Sequence, residues 1–94
     1  MSKHAVRGLP RKGRERAVAK ARDARDTWAL GRALIGLAAV LGDEEDPSAA
    51  ASAYEEAIAL QRSGNDALGV ATTLLNLGEL AVHDRDASRA KVLA

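Results

Sequence analysis

Residues 46–80, DPSAAASAYEEAIALQRSGNDALGVATTLLNLGEL, decide the fold. Asp46 and Asp66 each stand immediately before an alanine-rich apolar run. An aspartate there is a good helix N-cap: its carboxylate accepts from the free N–H groups of the first turn and favours the positive end of the helix dipole. Pro47 follows at the first helical position, where its missing N–H costs nothing. Gly64 lies where the first of the two helices should stop, and glycine suits a left-handed C-cap. Within the second run, Val70, Leu74, Leu77 and Ala81 fall on one helical face. The stretch therefore reads as two helices joined by a short turn, a helical hairpin.

Working outward, the same marks recur. Asp26, Asp46, Asp66 and Asp86 stand at one even interval, which predicts four helix starts. Gly42 marks a further expected left-handed stop. Leu30, Leu34, Leu37 and Leu41 carry the apolar face two intervals before its second copy. Sliding residues 14–54 over 54–94 without a gap gives ten identical pairs, among them Glu15/Glu55, Ala17/Ala57, Asp26/Asp66, Leu34/Leu74, Leu37/Leu77 and Asp46/Asp86. Chance would give roughly four in so alanine-rich a chain. Helices are expected at 10–24, 27–41, 47–62, 67–82 and 87–94. Small residues at the expected contacts, Ala38, Ala50, Ala57, Gly78 and Ala90, would let the backbones approach closely. The predicted organisation is a disordered basic arm at 1–9, a partial repeat holding only a second helix at 10–25, a complete repeat at 26–65 and a truncated repeat at 66–94.

Composition agrees with an all-α fold. The chain has 94 residues, no cysteine and no phenylalanine, with Trp28 and Tyr54 as its aromatics. Hydrophobic residues make up 47%, with alanine the commonest of them, so the core is thin. The net charge of +1 hides an asymmetry: residues 1–32 carry +7 and residues 33–94 carry −6. Such a division suits a partner-binding surface or association between the two ends. The most apolar stretch, residues 28–41, is too short to span a bilayer. A cytoplasmic location is the default expectation.

Catalytic and cofactor chemistry finds little footing. The acidic run Asp43-Glu44-Glu45-Asp46 lacks the alternation and the glycine of a calcium loop, and reads as a solvated turn ending in a cap. His4 and His83 are not at metal-ligand spacing, and His83 is placed near a helix C-terminus, where it would meet the dipole. Gly8 and Gly13 lack the spacing of a phosphate loop. The expectation is a non-enzyme with no cofactor and no metal. The basic segment at 3–25 supports an alternative, a nucleic-acid-associated accessory protein, because phosphate contacts need such charges. It has neither an aromatic platform nor a base-reading motif, so nucleic acid is the weaker expectation.

The residues also carry a resemblance. Ala53-Tyr54-Glu55-Glu56-Ala57-Ile58-Ala59-Leu60, then Gly64-Asn65-Asp66, then Leu74-Leu75-Asn76-Leu77-Gly78, resemble the tetratricopeptide repeat family in its form of about 40 residues per repeat. Leu34 with Leu37-Ala38, and Ala50, Tyr54 and Ala57, occupy the family's usual positions. The match looks like the arrays at the C-terminal end of large bacterial regulators with an ATPase core, and it covers about residues 14–94. The resemblance implies an α-solenoid fragment, a scaffold binding a peptide or partner protein on the concave face of its first helices. Carried over position by position, the groove would comprise Arg32, Gly36 and Ala39 in one copy and Thr72, Asn76, Glu79 and His83 in the next. Asn76 would both donate to and accept from a peptide backbone. Repeats are stabilised by their neighbours, so self-association through the open edge of the C-terminal hairpin is also expected.

Overall fold

The computed structural model describes residues 11–44 and 46–93, with the side chains at 87, 88 and 90–93 left aside. Over these residues the protein is all-α. It runs as α1 (Arg11–Asp23), α2 (Thr27–Asp43), α3 (Pro47–Ser63) and α4 (Ala67–Leu93). Each helix packs on its neighbours in sequence, which makes a run of antiparallel hairpins. The arm expected at 1–9, and Pro10 at the expected start of the first helix, lie outside the described residues.

Three turns are built alike. The carboxylates of Asp26, Asp46 and Asp66 accept from the backbone N–H of Ala29, Ala49 and Gly69 at 3.1, 3.3 and 2.9 Å. The N–H groups of the same three aspartates donate back to the carbonyls of Ala21, Leu41 and Gln61 at 3.1, 2.9 and 2.8 Å. Each aspartate therefore closes one helix and opens the next. Helices start at 27, 47 and 67, on the even beat of the aspartates. The residue before the aspartate is left-handed in the first and third turns, Arg25 at φ 56° and Asn65 at φ 58°. These two are themselves partners in the repeat register.

The left-handed positions correct the glycine expectation. No described glycine has positive φ. Gly64 sits at φ −90° and Gly42 lies inside α2. Asparagine tolerates the left-handed region, but Arg25 adopts it at a cost of roughly 1–2 kcal/mol. The N–H bonds of Arg25 and Asp26 to Arg22 and Ala21 close the helix there in spite of that cost.

The core lies between the hairpins. Val18 and Ala21 of α1, Leu30, Leu34, Ala38 and Leu41 of α2, and Ala50, Ala53, Tyr54, Ala57 and Ile58 of α3 are buried. Ala38, Ala50 and Ala57 are wholly inaccessible, as small residues at helix contacts should be. Gly78 is not one: it is exposed, and a Cβ built there meets nothing within 4 Å. Ala90 is among the side chains left aside. Two ion pairs tie the basic first helix to the acidic body, Arg11–Glu44 at 3.2 Å and Arg22–Glu56 at 2.8 Å. Part of the charge asymmetry is thus neutralised within the chain.

The fifth helix does not form. Asp86 is not a cap, because α4 runs unbroken from Ala67 to Leu93. An aspartate can start a helix only where the preceding one has stopped. The segment Val82-His83-Asp84-Arg85-Asp86 holds no glycine or proline to stop it. Two consequences follow for residues placed from sequence. His83 lies inside a helix rather than near its C-terminus. Leu74, whose repeat partner Leu34 is 3% exposed, is 45% exposed, and Leu75 and Val82 are exposed beside it. Leu34 belongs to the buried core cluster, whereas Leu74 lies outside it.

Candidate functional site

The helices α2 and α4 flank α3, and two hollows open between them with α3 as the floor. The first, of about 410 Å³, lies between the N-terminal halves of α2 and α4. Trp28 and Leu68, partners in the repeat register, stand at its edge with 63% and 79% of their surfaces exposed. The Arg32 side chain lies over the Trp28 ring, 5.8 Å from its centroid, a cation–π contact one helical turn along α2. Ile35 and Leu60 give the hollow apolar walls.

Polar order in this hollow comes from α3 and α4. Thr73 is wholly buried, and its hydroxyl sits 2.8 Å from both Gln61 Oε1 and the Gly69 carbonyl. The single hydroxyl proton is shared between these two acceptors. That bridge fixes the start of α4 on the end of α3. Gly69 leaves room for it, since a Cβ there would collide with the Asp66 carboxylate and come within 2.9 Å of Gln61 Nε2. Thr72 donates its hydroxyl to the Leu68 carbonyl at 3.0 Å, so its proton is turned back into the helix and its oxygen lone pairs remain for a ligand.

The second hollow, of about 470 Å³, lies between two and three turns further along the same helices. Asn76, Glu79 and His83 line it from α4, Ala39 and Asp43 from α2, and Tyr54 from α3. Tyr54 is only 7% exposed. Burial pushes its phenol above the ordinary value near 10, and the Glu79 and Asp43 carboxylates push it in the same direction. The phenol therefore stays protonated throughout the neutral range. Among the described residues, no group of three or more His, Cys, Asp or Glu converges to hold a metal ion.

The five groove residues expected from sequence are thus divided. Arg32 and Thr72 line the first hollow, and Asn76, Glu79 and His83 line the second. Ala39 joins the second, but Gly36 does not line either hollow. A Cβ on Gly36 would come within 2.6 Å of the Arg14 guanidinium, so this glycine is the seat of a side chain from α1. Sequence reasoning missed Trp28 and Asp43 on α2. Trp28 lies one turn before Arg32, and Asp43 is the repeat partner of His83, so extending the register by one turn each way finds both. It also missed Tyr54, Gln61 and Leu60 on α3, because only first-helix positions were carried over.

Among the described residues, no helix is long and apolar enough to cross a membrane. No family model, no curated protein and no solved structure matches this chain.

Proposed function

We propose that this chain is a non-catalytic interaction module of tetratricopeptide type. A peptide or partner-protein segment would lie along the face formed by α2 and α4, through Arg32, Thr72, Asn76, Glu79 and His83. One observation carries the reading. Each hollow is lined by repeat partners on α2 and α4, Trp28/Leu68 and Arg32/Thr72 in the first and Ala39/Glu79 and Asp43/His83 in the second, and the exposed Trp28 and Leu68 stand at the edge of the first. Exposed large apolar side chains beside a concave, partly polar surface suit a bound segment. The bacterial regulatory setting belongs to the same proposal and rests on the resemblance, and a cytoplasmic location is its default companion. The basic segment speaks less for nucleic acid, since Arg11 and Arg22 are already paired with Glu44 and Glu56.

Trp28 makes the test direct, because it is the only tryptophan in the sequence and stands at the groove. Peptides from an array are titrated while its emission is followed. The expected result is a saturable change for a subset of peptides, weakened by Asn76→Ala. Binding unchanged by Asn76→Ala removes the groove assignment, and salt-sensitive binding of duplex DNA in place of peptides favours the accessory-protein reading.

A further inference from the structure

The second hollow has an electrostatic character of its own. Asp43 and Glu79 face it from α2 and α4, and among the described residues no lysine or arginine lines it. Neither carboxylate has a hydrogen-bond or ion-pair partner among the described residues. The second, independent observation is Tyr54. Its side chain is more than nine-tenths buried, lines this hollow and has no hydrogen-bond partner among the described residues. Its hydroxyl is not sealed off, since no buried side-chain oxygen or nitrogen among the described residues is left without a partner. A phenol buried to that extent normally finds a partner, so its open oxygen points to a ligand atom.

We infer that the second hollow takes the arginine or lysine side chain of a partner segment, held by Asp43, Glu79, Asn76 and the Tyr54 hydroxyl. The inference rests on the groove reading and narrows it to one partner chemistry. Two carboxylates borne by different helices suit the spread donors of a guanidinium or the three protons of an ammonium group. The Tyr54 oxygen and the Asn76 amide oxygen supply neutral acceptors below and beside them. A metal ion is the poorer occupant, because the acidic side chains and His83 do not converge on one point.

The two hollows also set a spacing. Their linings are offset by about ten residues along both α2 and α4, which at the helical rise is about 15 Å. An extended segment covers that in four to five residues. The partner motif is therefore an apolar side chain at the first hollow and a basic one four or five residues away at the second.

The probe is the peptide Leu-Ser-Ser-Ser-Arg, acetylated and amidated so that its termini are neutral, with Trp28 emission as the readout in the full chain. Two relatives carry Glu for Arg or Ser for Leu. The Arg peptide is expected to bind about tenfold more tightly than the Glu peptide, with the difference shrinking at high salt. Asp43→Asn with Glu79→Gln should remove the preference. Tyr54→Phe should weaken the Arg peptide severalfold while leaving the thermal midpoint in place, since the hydroxyl has no hydrogen-bond partner among the described residues. Equal binding of the Arg and Glu peptides overturns the basic-side-chain inference and leaves the groove standing. Absence of binding by all three overturns both. An Arg peptide that binds only after removal of residues 1–10 assigns the hollow to the chain's own basic head, and overturns its assignment to a partner.

Discussion

Leu34 and Leu74 occupy equivalent places in the repeat, yet their truncations should differ severalfold in cost. Leu34 is 3% exposed in the buried core, whereas Leu74 is 45% exposed on α4. Leu34→Ala loses the transfer energy of its side chain and leaves a cavity, about 3 kcal/mol together. Leu74→Ala loses roughly half the transfer contribution of a buried leucine and leaves no cavity, because the site already opens to solvent. Its cost is about 1 kcal/mol. A domain of this size has about 5–14 kcal/mol of stability in total. A thin core belongs near the lower end, so Leu34→Ala leaves a protein that is folded at room temperature but easily melted.

Urea unfolding followed by the helical circular dichroism signal gives both numbers. The measurement is made over a wide range of protein concentration, which reveals any contribution from association. The result that refutes the reasoning is an equal, large loss at both positions. If that equality holds at low concentration, a helix folds back over α4 and the unbroken run from Ala67 to Leu93 is wrong. If it appears only at high concentration, a second copy covers Leu74, Leu75 and Val82, as the open edge of a repeat protein invites.

Glycine substitutions give opposite signs at two places in α4. Gly69→Ala should lower stability by about 1 kcal/mol by displacing the Asp66 cap, despite alanine's better helix propensity, whereas Gly78→Ala should raise it by up to about 1 kcal/mol, since nothing lies within 4 Å of the new Cβ. Differential scanning calorimetry reads both shifts. Arg25→Gly should raise the thermal midpoint by relieving about 1 kcal/mol of left-handed strain. Tyr54 is the only tyrosine, so its phenolate absorbance isolates one group, and the midpoint should lie above 10. Glu79→Gln should lower that midpoint without restoring it fully, because burial is the larger cause. As the folded value lies above the unfolded one, the protonated phenol contributes stability that is complete below about pH 10 and is lost as pH rises through the folded value.

The turns were legible because their chemistry is local. An evenly recurring aspartate before each apolar run specifies its own hydrogen bonds, and Asp26, Asp46 and Asp66 make them. Asp86 presents the same local signal without effect. What differs is what stands on either side. The helices after Asp26, Asp46 and Asp66 carry faces such as Leu30-Leu34-Leu41 and Tyr54-Ala57-Ile58 that bury on folding back. The few residues after Asp86 offer only Val92 and Leu93 as large apolar side chains. Arg25 makes the same point from the other side. An arginine is no helix stop by propensity, yet it turns left-handed because the chain beyond it has a core to reach. A cap permits a start, and tertiary burial decides whether the stop before it occurs.

The hollows were harder to see than the helices, because α3 supplies their floor. First-helix positions follow from the register, but the depth of a groove is set by what packs behind it. Tyr54 illustrates this. From sequence it is a core aromatic, and it is buried, yet its hydroxyl reaches the surface of the groove. The open edge and the groove are also separate on α4. At 100° per residue, Leu68, Thr72, Asn76, Glu79 and His83 form one stripe and Leu74, Gly78 and Ala81 another, a third to half a turn away, with Leu75 and Val82 between the two. The exposed edge at Leu74 therefore lies apart from the residues of α4 that line the hollows. It follows that Leu74→Glu should abolish any concentration-dependent association while leaving peptide-induced changes at Trp28 as they are, which sedimentation and fluorescence measure on the same sample. Loss of the peptide signal together with association would mean that the groove is built only between two copies, and that the single chain does not carry the site.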